Sequence, residues 1–260
     1  MAARGLDGKV ALVTGCGSMT GIGAASARCL ARDGAHVIVT DRIGADAEAV
    51  AAGIPGAVAR ALDVTDRAQI DAAVAAAVAD HGRLDILVNN AATTQGAKPF
   101  LEVTAEDWET SFAVNIKGTA ACCQAAIPAL CATQGVIINL SSMARIGAQR
   151  AFGAYTTAKH ALIGMTKTIA AEFGPQGLRA VAICPGFIST GMHEGVNQRM
   201  ADEQGVTLED IHAQRYATVA LKRAGTPEEV AELIAFTASP AAAYITGVAL
   251  PVTGGVQMGL

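Results

Sequence analysis

Short apolar runs alternate with amphipathic stretches along this chain. KVALVT, AHVIVT, VARALDV, LDILVNN, GVIINLSS, LRAVAICPG and GVALPV read as strands. Between them the spacing predicts helices from about Gly21 to Asp33, from Thr65 to His81, from a start at Thr104, from about Tyr155 to Phe173, and from Thr226 onward. Thr226, Pro227 and Glu229 supply an N-cap hydroxyl, a proline at the first helical position and a return carboxylate, and Thr104 with Asp107 makes a weaker box. Gly82, and Gly174 with Pro175, read as helix stops. Strand, helix and strand repeated this way predict an α/β fold: one doubly wound parallel sheet, Rossmann-like, with helices on both faces.

No low-complexity linker, fixed-period repeat or shift in composition marks a boundary, so residues 1–260 are expected to form a single domain. The segment 191–220 departs from the alternation. As the longest crossover after a strand it predicts a mobile lid over the pocket, with Gly191, Gly195 and Gly205 as flexible points. The competing expectation is that MHEGVNQRMADEQ and LEDIHAQRYA form two ordinary solvated helices.

Charge and composition narrow the classes of function. The net charge is -4, with acidic and basic residues interspersed, which gives no footprint for nucleic acid or an anionic membrane. Two uncharged stretches, 118–144 and 233–260, fail as membrane spans. The first is broken by Gln124, Pro128, Gln134 and Gly135, the second by Pro240, Pro251, Gly254 and Gly255. The six cysteines show neither CxxC spacing nor a Cys/His cluster, so no metal site is expected, and they read as reduced thiols of a cytoplasmic protein. The N-terminus lacks the apolar core of a signal peptide.

The first chemical signal is TGCGSMTGIG, residues 14–23, between the first strand and a helix. Glycines there let the backbone approach a pyrophosphate at a positive helix terminus, and Asp41 ends the next strand, twenty residues after Gly21, where a carboxylate can accept from ribose hydroxyls. A 2'-phosphate would meet the negative charge of Asp41, so NAD is expected over NADP, although Arg42 follows directly. The second signal is YTTAK, in which the i, i+4 spacing puts the phenol of Tyr155 and the ammonium of Lys159 on one helix face. Moving a phenol from about 10 to neutrality takes roughly 4 kcal/mol, which one ammonium at about 4 Å can supply at an effective dielectric of about 20.

Asn115 in VNIKG, Ser142 at the end of GVIINLSS, Tyr155 and Lys159 now form a set with the glycine loop, NNAA at 89–92 and CPGFIST at 184–190. From Leu6 to about Gly255 this set resembles the classical short-chain dehydrogenases/reductases. The resemblance implies that Tyr155 exchanges a proton with the substrate oxygen, Ser142 hydrogen-bonds that oxygen, Lys159 binds the nicotinamide ribose and depresses the tyrosine, and Asn115 holds a relay water. It also implies that Gly15, Gly21, Ile22 and Gly23 form the phosphate turn, Asp41 takes the ribose, Asp63 and Val64 the adenine, and Asn90 borders the cofactor. Ile188 and Thr190 would contact the carboxamide, and a homotetramer is implied, with surplus apolar surface expected at Ala121, Cys122, Ala126, Ala161, Ile169 and Ala170.

The departures are local. The family turn is TGxxxGxG, so this chain carries two extra residues, with Gly15 expected to begin the turn and a bulge from Gly17 to Thr20. Ala92 replaces the commoner glycine, Val181 an asparagine, and Thr253 an aspartate. The expected reaction is the NAD-dependent interconversion of a secondary alcohol and a ketone. The alternatives are a 3-oxoacyl-thioester reductase of the same family and a non-catalytic NAD-binding regulator. Phe152 and Ala144 predict an apolar wall and Met192 a further substrate contact, so a neutral, partly apolar alcohol is expected.

Overall fold

A computed structural model of the chain describes residues 4–143 and 151–256. The strands are β1 (Val10–Val13), β2 (His36–Asp41), β3 (Val58–Ala61), β4 (Ile86–Asn89), β5 (Val136–Leu140), β6 (Arg179–Pro185) and β7 (Val248–Val252). They pair in the order β3-β2-β1-β4-β5-β6-β7, each neighbour parallel. Helices α1 (Ile22–Arg32), α2 (Gly44–Ala52), α3 (Arg67–His81), α4 (Ala105–Phe112), α5 (Thr119–Thr133), α6 (Gly153–Phe173), α7 (Gly191–Gln204), α8 (Leu208–Ala217) and α9 (Pro227–Ala238) complete the doubly wound architecture.

Side chains of a strand alternate between its faces, and the core divides accordingly. Ala11 and Val13 pack with α1, α2 and α9, whereas Val10 and Leu12 pack with α3, α5 and α6. Strand order reverses between β1 and β4, so a crevice opens beyond their carboxyl ends, the place where such sheets bind ligands. Both anticipated capping boxes are complete, Thr104 with Asp107 and Thr226 with Glu229. Gly82 ends α3 in the left-handed region at φ 73°.

Other elements depart from the pattern. Gly174 stays right-handed and the chain tightens into a 3-10 turn, Gly174–Gln176, before Gly177 reverses it at φ 83°. The whole of α2 was not legible as a helix, because GADAEAVAA does not sort its apolar residues onto one face. The segment 191–220 is not irregular. Thr190 caps α7, Gly205 ends it in the left-handed region, and Thr207 with Asp210 forms a third capping box at α8. The surplus apolar surface is only partly where it was expected, at Ala121 and Ala161. Cys122, Ala126, Ile169 and Ala170 are core residues, and the half-exposed apolar positions are Ala121, Ala125, Ile127 and Ala129 on α5 and Ala161, Ile163 and Met165 on α6.

Candidate active site

The carboxyl ends of the strands open into a cleft of about 860 Å³. Gly15 begins the turn at its floor. It adopts φ 68°, and a Cβ there would stand 2.6 Å from Cα of Ala91, so only glycine fits beside β4. The two extra residues are absorbed by a reversal in which Gly21 N donates to Ser18 O at 2.9 Å. The lengthened turn also reaches Asp41: Gly17 N donates to Oδ2 at 2.8 Å, and Ile43 N donates to Oδ1 at 3.1 Å. Two amides therefore hold the carboxylate at the cleft wall.

Helix α1 starts at this turn with Gly21 at its N-cap, no side-chain cap and no acidic residue in its first turn. Helices α3, α4, α7, α8 and α9, by contrast, each carry a side-chain cap. An uncapped positive terminus on a cleft suits a pyrophosphate, and the clamped Asp41 suits ribose hydroxyls, so these residues fit a dinucleotide. Gly15, Gly21 and Ile22 line the cleft, as do Asp63 and Val64. Asp63 is already partly engaged, accepting from Thr65 N at 2.8 Å and Thr65 Oγ1 at 2.7 Å. Asn90 lines the cleft and ties down the turn, its Nδ2 donating to the carbonyls of Thr14 (2.9 Å) and Gly15 (2.7 Å). Gly23 is buried against the turn, where a Cβ would lie 2.6 Å from Asn90 Nδ2 and 2.7 Å from Gly15 O, so close packing requires glycine there.

Ser142, Tyr155 and Lys159 are brought together on the cleft wall. Ser142 hydrogen-bonds the Tyr155 side chain. Two bonds stitch the end of β5 to α6 and set this geometry: Ser141 Oγ donates to Lys159 O at 2.7 Å, and Lys159 Nζ donates to Leu140 O at 2.7 Å. The ammonium lies 5.5 Å from the centre of the Tyr155 ring. Burial pushes the phenol up to about 12, against the pull of the Ser142 bond, and pushes Lys159 down to about 8. The expected depression of the tyrosine is thus not a property of the protein alone. The ammonium is drawn onto the Leu140 carbonyl, and desolvation of the phenolate outweighs its attraction.

Asn115 stands apart, fully buried in a π-helical turn, Ala113–Gly118, between α4 and α5. Its Nδ2 donates to Thr93 O (3.0 Å) and Ser111 Oγ (3.2 Å), and its Oδ1 accepts from Thr93 N (3.0 Å). It fixes the loop through Thr93 and Thr94, which do line the cleft.

At the substrate end, Phe152 meets Tyr155 edge-on, with ring centres 6.0 Å apart, and Met192 is half exposed on the wall. Ile188 and Thr190 line the cleft, but the Thr190 hydroxyl caps α7, accepting from His193 N at 3.3 Å. Ala144 lies outside the described residues. Three wall residues were missed as functional: Phe187, His193 and Arg215. His193 is sandwiched between the rings of Phe187 and Tyr216, and burial, then the charge of Arg215, pushes it down to about 4, leaving it neutral at pH 7. Arg215 sits in the second half of the covering segment, which the expectation of a neutral pocket did not weigh; its place beside Tyr216 in α8 was the available signal.

A family model described as enoyl-(acyl carrier protein) reductase matches residues 15–257. The short-chain reductase protein NovJ of Streptomyces niveus is 39% identical over 95% of this chain and 93% of its own. Sorbitol dehydrogenase of Cereibacter sphaeroides is 38% identical over 97% and 99% of the two chains, and the 3-oxoacyl-[acyl-carrier-protein] reductase FabG of Thermotoga maritima is 36% identical over 96% and 98%. A crystal structure described as ribose-5-phosphate isomerase from Brucella melitensis superposes with a TM-score of 0.87 at 34% identity, covering 98% of this chain and 94% of that one. One fold can host different reactions, so that likeness speaks to architecture. Relatives matched over nearly their whole length speak to more: the chain belongs to the short-chain dehydrogenases/reductases, a family of oxidoreductases that typically use a nicotinamide cofactor.

Proposed function

We propose that the protein interconverts a secondary alcohol and a ketone with NAD(H), and that Tyr155 exchanges the proton at the substrate oxygen. The observation that carries this reading is the juxtaposition of Tyr155, bonded to Ser142, with the buried ammonium of Lys159, in the cleft that also holds the clamped Asp41. A bound nicotinamide supplies the hydride chemistry. The rest falls to this chain. Ser142 donates to the substrate oxygen and orients it toward the phenol. Lys159 holds the end of β5 and offers its ammonium to the cofactor ribose. Asn115 positions the Thr93 loop, and helices α7 and α8 cover the substrate. Gly15, Gly21, Ile22, Asp41, Asp63, Val64, Asn90, Ile188 and Thr190 would hold the dinucleotide.

Because Gly17 and Ile43 fix the carboxylate of Asp41 in place, it cannot swing away from a 2'-phosphate. NAD is expected to be used with a kcat/KM at least about tenfold above that of NADP, equivalent to roughly 1.4 kcal/mol, and Asp41→Ser should shrink the ratio. A panel of alcohols followed by NADH absorbance tests both. Equal efficiency with the two cofactors in the native protein removes the assignment. The similarity to the Thermotoga 3-oxoacyl reductase favours one alternative, reduction of an acyl thioester, and a thioester in the same panel distinguishes it.

The protein is further proposed to be a cytoplasmic homotetramer. Its free cysteines are largely buried, and among the described residues no helix is long and apolar enough to cross a membrane. The half-exposed apolar faces of α5 and α6 offer surface for self-association. Light scattering at micromolar concentration should give four chains per particle, and a monomer refutes the proposal.

A further inference from the structure

The substrate end of the cleft holds a cation that the proton chemistry does not use. Arg215 is half buried on α8 and lines the cleft. Its guanidinium lies 4.3 Å from the centre of the Phe187 ring, and Nη1 donates to Oδ1 of the fully buried Asn197 and to Met200 Sδ at 3.6 Å. Among the described residues, no carboxylate lies within ion-pair distance of it. Glu194, whose charge reaches it, is instead bonded to His212 Nε2 at 2.8 Å and to Asn197 Nδ2 at 3.4 Å. Elsewhere Arg4, Arg32, Arg83 and Arg223 each pair with a carboxylate, and the half-buried Arg179 spends its guanidinium on backbone carbonyls.

Holding a guanidinium partly out of water without an anion is unfavourable, and the arrangement makes sense when a ligand supplies the anion. Phe187 and Asn197 orient the planar fork without neutralising it, leaving the remaining N–H donors for a group of matching geometry. The charge also indicates the group. On the described cleft walls Lys159 is bonded to Leu140 O and Arg42 lies beside Asp41 at the other end, so the substrate end presents one cation, matched to a single negative charge.

We infer that Arg215 receives a carboxylate of the substrate, making the alcohol a hydroxy acid rather than the neutral, apolar molecule expected from sequence. This inference rests on the alcohol and ketone reading of the same site. The carboxylate is an anchor and is not itself transformed.

The test pairs short hydroxy acids, with the hydroxyl on the second, third or fourth carbon, with their methyl esters. In the native enzyme the best acid should exceed its ester in kcat/KM by about tenfold or more. Arg215→Gln should collapse that ratio by about tenfold, chiefly through KM, and Arg215→Lys should restore part of it. A native enzyme that turns over esters as well as acids overturns the inference, as does an Arg215→Gln variant that keeps the ratio. Should the variants fail to fold, inhibition of the native enzyme decides: short carboxylates compete with substrate and their amides do not, and equal inhibition by both overturns the proposal. If neither series turns over, the Tyr155 reading fails separately. A melting-temperature rise of the native protein with carboxylate but not amide then still supports the Arg215 site, and its absence refutes it.

Discussion

Tyr155→Phe is expected to lower turnover at least about 10³-fold, within the range by which a positioned general acid or base contributes, while NADH binding measured by fluorescence titration stays nearly intact. The substitution keeps the ring that meets Phe152 edge-on and removes only the hydroxyl bonded to Ser142. The groups fitted to the dinucleotide's phosphate and ribose, the turn at Gly15 to Ile22 and the clamped Asp41, are untouched. A phenol held at about 12 is protonated at neutral pH. Donation to a ketone oxygen therefore needs no prior titration, and the variant loses that donor outright. A variant that keeps a tenth of native activity would assign the proton to another group.

What sequence could supply here follows from how local each cause is. The strands β1, β2, β4, β5 and β6 were legible because their apolar runs meet the two faces of a buried parallel sheet. The capping boxes at Thr104 and Thr226 were legible because cap and return carboxylate lie three residues apart. Tyr155 and Lys159 were legible as a pair because helical spacing alone puts them on one face. The rest depends on contacts distant in sequence. The lengthened glycine turn could be seen, but not that Gly17 would reach Asp41, 24 residues away. Ser141, which anchors Lys159 across 18 residues, carries no local signal. That Asn90 would pack against Gly23 carries no local signal either. Arg215 is an ordinary helix residue in the sequence, and its meaning comes from the carboxylate it lacks. Desolvation escapes the pattern for the same reason. The spacing gives the lysine's distance from the tyrosine, but neither the burial of both groups nor the Leu140 carbonyl that draws the ammonium aside.

That burial makes Lys159 the second sharp test. Its fall from 10.5 to about 8, caused by desolvation, corresponds to a cost of about 3 kcal/mol for keeping the ammonium inside. Since the folded value lies below the unfolded one, the unfolded chain holds the extra proton between about pH 8 and 10.5. Native stability therefore rises with pH across that window, and the full cost is present below it. Lys159→Met removes the charge at similar volume but leaves the Leu140 carbonyl without its donor, a loss of about 1–3 kcal/mol. The two effects nearly offset, so the melting temperature at pH 7 should move by no more than about 5 °C. Turnover should fall at least about 10²-fold and NADH binding should weaken, because the ammonium offered to the ribose is gone. Between pH 8 and 10 the native protein should gain stability relative to the variant. A lysine present only to hold β5 against α6 would behave differently, with a large loss of stability accompanying any loss of activity and NADH affinity unchanged in whatever remained folded.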